Sequence, residues 1–149
     1  MNDSILSWMG RAKKVLDYYI SDQLKENGCE LTKVQWIMLK KLKEVDGQPQ
    51  HNLAFLTNRD KASLARLINT MEKKNLVARI PSKSDHRINH VYLTKYGDDM
   101  LKKAAPVMQD VINHIQNGIS QEEIETVIKT MKKIIQNINS EELVAMITK

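Results

Sequence analysis

Residues 76–94 have a β-strand pattern within a sequence whose other segments are helical in pattern, and this limits the folds that the chain can adopt. Two short β-prone runs, LVARI and HVYLT, flank the nine-residue polar loop PSKSDHRIN, a pattern that predicts a β-hairpin. The loop is longer than a hairpin needs to reverse direction, because about two to five residues suffice. Its length indicates a use, and three alternatives stay open: a catalytic loop, an ordinary hairpin tip, or a segment that enters a groove.

Before the hairpin, apolar residues recur at spacings of three and four, which predicts amphipathic helices. A first helix of about five turns is predicted within residues 4–24, and Gly28 is its predicted stop signal. Thr32 is the predicted N-cap of a second helix over residues 33–45. Residues 50–57 are just long enough for a short third helix.

The fourth predicted helix has one apolar and one polar face. Asp60 is its predicted N-cap after a turn over residues 58–60, and Asn75 is its predicted stop. The apolar stripe predicts a core contact and consists of Leu64, Leu67, Ile68 and Met71. The opposite face has Ser63 at its first turn and consists otherwise of Lys61, Ala62, Ala65, Arg66, Asn69 and Lys73. Two helices across a tight turn predict a helix-turn-helix, whose second helix enters the major groove of DNA.

Two further helices are predicted after the hairpin. One begins after Gly97 and contains Pro106, which predicts a kink. The other follows a capping box of Ser120 and Glu123, and its apolar face consists of Ile124, Val127, Ile128, Met131, Ile134, Ile135 and Ile138. The tail, residues 140–149, predicts at most a last short turn. The whole order predicts a mainly α fold with a small β-hairpin.

Positive charge is concentrated in the middle of the chain. Residues 59–103 contain eleven Lys and Arg against five Asp and Glu, a net charge of +6, whereas the rest of the chain has a net charge of −1. Proteins that bind phosphates do so with clustered Lys and Arg side chains rather than with a uniformly basic surface. The distribution therefore favours a nucleic-acid partner, and a solvated basic surface is the alternative.

Size and composition restrict the class of protein. At 149 residues, of which 42% are hydrophobic and 28% charged, the chain has the size and composition of one folded domain. The start, MNDSILSWMGRAKK, lacks the features of a secretory signal, and no apolar run is long enough to span a membrane. The single cysteine, Cys29, cannot form an internal disulfide. We therefore expect a cytoplasmic protein.

Several motifs, taken in order, resemble those of the MarR family of winged helix-turn-helix transcriptional regulators. They lie within residues 31–138 and are the LA of HNLAFLT, the segment TNRDKASLARLINTMEKKNLV, the SDHR of the loop and LTKYG. The resemblance implies a single MarR-like domain over residues 1–149, with the winged helix-turn-helix at 31–96. It also implies that residues 1–30 and 97–149 form dimerisation helices that interleave with those of a second chain.

The resemblance further implies that the fourth helix, the recognition helix, lies in a major groove. At the positions that match the family motif, the expected contacts to phosphates and base edges are made by Lys61, Ser63 and Arg66. The hairpin, or wing, would reach the adjoining minor groove. The complete set of DNA-binding residues predicted in this way is Lys61, Ala62, Ser63, Arg66, Lys83, Asp85, His86 and Arg87.

Arg87 is the residue of the loop that matches the wing arginine of the family, and Asp85 is expected to orient it. The narrow minor groove has an enhanced negative potential, which suits an inserted guanidinium. Lys83 is expected to contact a phosphate. His86 stands where many relatives have a second arginine, which lowers the fixed charge of the wing. The alternative for Arg87 is a solvated residue at the tip of a hairpin.

Nothing in the sequence requires an enzyme or a cofactor. The four histidines are scattered, and the common motifs for nucleophiles, phosphate loops and metals do not occur. His86 and His90, four residues apart, are the one pair whose spacing suggests a metal, and no metal is expected there. Some relatives sense oxidants through a cysteine, but Cys29 stands next to Glu30, which would raise its pKa. A packed or surface thiol is therefore favoured.

The function predicted from these observations is a sequence-specific DNA-binding regulator that acts as a homodimer on a pseudo-palindromic operator. The resemblance adds repression that is relieved by a small aromatic or lipophilic effector. An effector pocket and ordinary core packing both remain open for the aromatic residues Trp8, Tyr18, Tyr19 and Trp36. Alternative functions are a winged-helix adaptor that binds protein, a nonspecific nucleoid-binding protein and a cysteine-based redox sensor of the same family.

Overall fold

The computed structural model describes residues 3–57, 60–138 and 141 of the chain. In chain order its elements are α1 (Ile5–Glu26), α2 (Lys33–Glu44), β1 (Gln48–Pro49), a 3-10 helix (Gln50–Thr57), α3 (Lys61–Lys73), β2 (Val77–Pro81), β3 (Asn89–Leu93), α4 (Lys95–Ile115) and α5 (Gln121–Ile138). The predicted order of helices and hairpin is confirmed. Asn58 and Arg59 of the predicted turn, and the tail apart from residue 141, lie outside the described residues.

Most helix ends follow the predicted local signals. The exception is α4, which begins at Lys95 rather than after Gly97, because the Thr94 hydroxyl accepts the Gly97 backbone N–H and caps the helix earlier. Thr32 and Gln35 form a reciprocal capping box at the start of α2, and the Asp60 carboxylate accepts the Ala62 backbone N–H at the start of α3. At the other end of α3, Asn75 has a φ of 61°, so it supplies the left-handed residue that closes a Schellman motif. Gly28 does the same after α1, with a φ of 75°.

The chain divides into two compact units, residues 1–111 and 112–149. The hydrophobic core lies in the first unit and is built around the apolar faces of α2 and α3. Ile68 and Met71 of α3 are fully buried, Leu64 is 3% exposed, and Leu67 packs partly buried against the same core. The apolar stripe predicted from the helical spacing is therefore confirmed as core, and the polar side of α3 is turned outward.

The wing is a three-stranded antiparallel sheet rather than a two-stranded hairpin. Strand β3 lies in the middle, between β1 and β2. The short β1 pairs Gln48 with Val91 and Pro49 with His90, which the sequence did not predict. Pro81 pairs with Asn89 at the end of β2 and β3. The loop at the tip is thus residues 82–88, two residues shorter than the nine-residue loop predicted from the sequence.

The first and last helices leave most of their apolar residues uncovered. Helix α1 buries only Ile20 and Leu24, while its exposed large apolar residues are Ile5, Leu6, Trp8, Val15 and Tyr18. Helix α5, in the second unit, has no buried residue, although the pattern predicted for its apolar face is present. Among the described helices, none combines the length and the apolar composition that crossing a membrane requires.

Candidate nucleic-acid interface

The outer face of α3 presents polar and basic side chains to solvent. Its predicted members Lys61, Ala62, Arg66, Asn69 and Lys73 are exposed, and Ser63 and Ala65 are half-buried. The opposite face of the helix is held in the core, which fixes the rotation of α3 about its own axis. The side chains that the sequence assigned to DNA contact on this helix therefore project from a rigid element.

The first turns of α3 contain a small hydrogen-bonded cluster. The Ser63 hydroxyl donates to one oxygen of Asp60, and the Arg66 guanidinium donates to Ser63 Oγ over 2.9 Å. Arg66 Nη2 also lies 3.9 Å from Asp60 Oδ2. The hydrogen bonds from the Ser63 hydroxyl and the Ala62 backbone lower the pKa of Asp60, so the carboxylate stays charged near neutral pH. Ser63 and Asp60 thereby limit the directions in which Arg66 can extend.

At the tip of the wing, Asp85 holds Arg87 by a two-pronged ion pair. Arg87 Nε donates to Asp85 Oδ1 over 3.0 Å and Nη2 donates to Oδ2 over 3.1 Å. The Arg87 backbone N–H also donates to Oδ1, and the Ile88 N–H donates to the Asp85 carbonyl, which forms a tight turn. These hydrogen bonds lower the pKa of Asp85 and raise that of Arg87. The predicted orientation of Arg87 by Asp85 is present.

Arg87 is fully available to a partner in spite of this ion pair, because its side chain is 90% exposed. Lys83 and His86, the other predicted contacts of the tip, are exposed as well. A cleft of about 220 Å³ joins the wing to the recognition helix, and both Lys61 and Arg87 line it. The structure therefore brings predicted DNA contacts from α3 and from the wing to one continuous surface.

A second set of polar contacts ties the wing to α3, and the sequence reasoning missed it. The Arg79 guanidinium, on β2, donates to Asn69 Oδ1 and over 2.9 Å to Glu72 Oε1. The Arg79 backbone N–H donates to the other oxygen of Glu72 over 3.2 Å. The two hydrogen bonds from Arg79 to Glu72 lower the pKa of the Glu72 carboxyl group. The only signal in the sequence was an arginine inside a β-prone run, seven residues after a glutamate of a helix.

Cys29 is enclosed in the core. It has no exposed surface, and burial raises the pKa of its thiol, an effect that the nearby charge of Lys103 partly opposes. The predicted direction of the pKa shift is present, although its main cause is burial rather than the neighbouring Glu30. A buried thiol with a raised pKa is a poor nucleophile towards oxidants, which favours the packed thiol over a redox sensor.

The aromatic residues and the histidine pair have separate structural roles. Trp8 and Tyr18 are exposed on α1, whereas Tyr19 and Trp36 pack partly buried against the core. His90 Nδ1 is hydrogen-bonded to the Gly47 carbonyl over 2.8 Å, which joins β3 to the turn before β1. Within the described ranges, no group of three or more His, Cys, Asp and Glu is arranged to hold a metal ion.

Comparisons with known proteins agree with this architecture. Residues 31–88 match the model of the MarR family. The regulator AbsC of Streptomyces coelicolor, described as a MarR family protein, is 26% identical over 93% of this chain and 96% of its own, with a TM-score of 0.76. A second MarR family regulator of that organism, solved in complex with DNA, is 22% identical over 92% of this chain and 88% of its own, with a TM-score of 0.80. The organohalide-sensing regulator RdhR, solved with 2,4-dichlorophenol bound, is 20% identical over 89% of this chain and 79% of its own, with a TM-score of 0.77. The predicted winged helix-turn-helix fold with terminal helices is confirmed.

Proposed function

We propose that the chain is a homodimeric, sequence-specific repressor of the MarR family of winged helix-turn-helix transcriptional regulators, which bind DNA and are not enzymes. The observation that carries the proposal is the shared surface of α3 and the wing. Cations of both elements, Lys61 and Arg87, line one cleft, and Arg66 is exposed on the outer face of α3. This is the arrangement that contact with a major groove and the adjoining minor groove requires.

Each predicted contact has a role in this proposal. Arg66 reads a base edge from the exposed face of α3, with Ser63 restricting its direction. Lys61 contacts a phosphate near the helix N-terminus, where exposed backbone N–H groups also favour an anion. Ala62 is small enough to let α3 approach the base pairs closely.

In the wing, Arg87 enters the minor groove, and the ion pair with Asp85 restricts the orientation of its guanidinium before DNA arrives. Asp85 is thereby neutralised by Arg87 and repels the nearby phosphates less. Lys83 contacts a phosphate, and His86 is the remaining polar contact of the tip.

The dimer is supported by the apolar surface that the terminal helices leave exposed. Dimers are typical of the family. On α1, Leu6 is 81% and Val15 67% exposed, and on α5 Val127 is 53% and Ile128 49% exposed. Helix faces with several exposed large apolar residues are typical of interfaces between subunits. In the proposed single MarR-like domain, residues 1–30 and 97–149 pair with the same segments of a second chain.

A dimer of this kind binds two half-sites about one helical turn, roughly 34 Å, apart. Binding there excludes other proteins from the same DNA and so represses transcription. A small aromatic or lipophilic effector relieves repression by favouring a different separation of the two recognition helices. The 2,4-dichlorophenol-bound form of RdhR supports this class of ligand. The protein acts in the cytoplasm, and no cofactor enters the mechanism.

Selection of bound duplexes from a random DNA pool tests the proposal. The expected outcome is an inverted repeat whose half-sites are centred about 10 base pairs apart. Binding of all duplexes alike, abolished by moderate salt, would instead identify a nonspecific nucleoid-binding protein. Absence of DNA binding at low salt would favour a protein-interaction adaptor.

A further inference from the structure

The contact between Asn69 and Arg79 fixes which end of the Asn69 amide faces outward. An arginine side chain has donors and no acceptor. Asn69 must therefore turn its carbonyl oxygen towards Arg79, and the amide nitrogen, with two N–H donors, is left for another partner. In many proteins the two ends of an asparagine amide are hard to distinguish, but here the chemistry of the neighbour decides between them.

Arg79 is itself held firmly, so it can impose this orientation on Asn69. Its side chain is only 24% exposed, and its guanidinium donates to Glu72 Oε1 over 2.9 Å. Its backbone N–H donates to the second oxygen of the same carboxylate. Three hydrogen bonds thus connect β2 to one face of α3, and two of them end on a charged acceptor, which makes them stronger than neutral pairs.

Asn69 lies on the surface that the proposed function assigns to DNA. It follows Arg66 by three residues and precedes Lys73 by four, so the three side chains share the exposed face of α3. Side chains three and four residues apart on a recognition helix meet successive base pairs in the major groove. The free donors of Asn69 therefore point to the groove next to Arg66.

We propose that Asn69 is a specificity-determining residue that donates from its amide nitrogen to a base edge, with Arg79 as the positioning residue that fixes this polarity. The proposal rests on the proposed function, because it needs α3 in a major groove. Guanine offers two acceptors there, N7 and O6, adenine offers N7 beside its N6 donor, thymine offers O4, and cytosine offers only a donor. Asn69 therefore favours guanine and rejects cytosine at one position of each half-site.

This assignment differs from the usual pairing of asparagine with adenine. An asparagine amide recognises adenine by accepting from N6 and donating to N7 at the same time. In this protein the carbonyl oxygen is turned towards Arg79, which takes one of its two lone pairs and sets the direction of the amide, so the two-point contact is disfavoured. The Arg79 contact thus favours donation by the amide nitrogen over the two-point contact with adenine.

The test repeats the random-pool selection with full-length variants and compares base preferences position by position. Asn69→Asp keeps the acceptor for Arg79 but removes both donors, and Asn69→Ala removes the amide without adding charge. Both are expected to lose the preference at one position per half-site, by roughly five- to tenfold, while preferences elsewhere remain. Arg79→Met releases the Asn69 oxygen from Arg79 and is expected to raise the preference for adenine relative to guanine at that position.

Retention of the wild-type preference at every position in Asn69→Asp and Asn69→Ala would overturn the proposal, and so would an Arg79→Met variant with unchanged preference. A purely structural role for Asn69 predicts that Asn69→Asp behaves as the wild type, since the bond to Arg79 survives. Because Asn69 is exposed, its variants are expected to fold, so their base preferences can be measured even if Arg79→Met does not fold. Loss of all sequence preference in the wild type would instead reject the proposed function.

Discussion

Helices α3 and α5 have the same kind of amphipathic sequence but bury it differently. In α3 the apolar stripe is covered by the rest of the first unit, and Ile68 has no exposed surface. In α5 the corresponding stripe has no buried residue, and Ile128 is 49% exposed. Periodicity thus predicts which face of a helix is apolar, whereas what covers that face depends on the rest of the molecule.

Because their apolar faces are buried differently, α3 and α5 have different roles. With its apolar face held in the core, α3 offers only its polar face to a partner, and that face carries the proposed DNA contacts. The apolar face of α5 is itself the surface that needs a partner, and we assign it to the dimer. Each helix should therefore depend on the face assigned to it.

The largest effect is expected from the buried face of α3. Ile68→Ala should lower the free energy of unfolding by about 2–5 kcal/mol, because it removes fully buried methyl groups and leaves a cavity. Urea denaturation at one fixed protein concentration measures the change. The control is Lys73→Ala on the exposed face of the same helix, which should change it by less than about 0.5 kcal/mol. Equal effects of the two substitutions would contradict the assigned rotation of α3.

A charge on the apolar face of α5 should separate the dimer without unfolding the chain. Ile128→Lys is expected to raise the dimer dissociation constant at least about a hundredfold, because an unpaired ammonium would have to be buried in the interface. Sedimentation velocity over a concentration series measures it, and circular dichroism checks the helix content. Thr126→Lys adds the same charge off the apolar stripe and should leave the dimer intact. An intact Ile128→Lys dimer would remove α5 from the interface.

On the outer face of α3, Arg66→Ala should weaken binding to the selected operator by about 1–3 kcal/mol and relax the preference at one base pair. The matched variant is Lys61→Ala, which removes a proposed phosphate contact from the same helix. It should weaken operator and random duplexes alike. The roles are distinguished by fluorescence anisotropy with both kinds of duplex. Unchanged base preference in Arg66→Ala would show that Arg66 is not a base reader.

The smallest effect is expected at the tip of the wing. Arg87→Ala should lower the slope of log affinity against log salt by about one ion, because one cation leaves the minor groove. Lys129→Ala, which removes a cation outside the proposed DNA-binding set, should leave the slope unchanged. Titrations at four or more salt concentrations give the two slopes. Wild-type affinity and slope in Arg87→Ala would reject the proposed role of the wing.

Local signals explain why much of the fold was predictable from the sequence. The N-caps Thr32 and Asp60 and the left-handed Asn75 act within a few residues of their positions in the chain, so residue type and spacing suffice to identify them. The exposed face of α3 followed directly from its apolar stripe. The ion pair between Asp85 and Arg87 was also predictable from the sequence, since both side chains lie in one turn.

Features that depend on distant pairing were missed. Strand β1 is only two residues long and contains Pro49, and it exists because it pairs with His90 and Val91 of β3. Pro81 was predicted in the loop, but as the last residue of an edge strand it needs no backbone N–H for the sheet. The bond from Arg79 to Asn69 joins a strand to a helix, and no spacing rule indicates it.

The central claim is that two chains cover each other's terminal helices and so present two copies of α3 to one operator. Measuring the mass of the complex on the selected duplex by sedimentation equilibrium tests it directly. We expect two chains per duplex, and at least about hundredfold weaker binding to a duplex with one half-site. A single chain bound to the operator, with the same affinity for one half-site as for two, would contradict it.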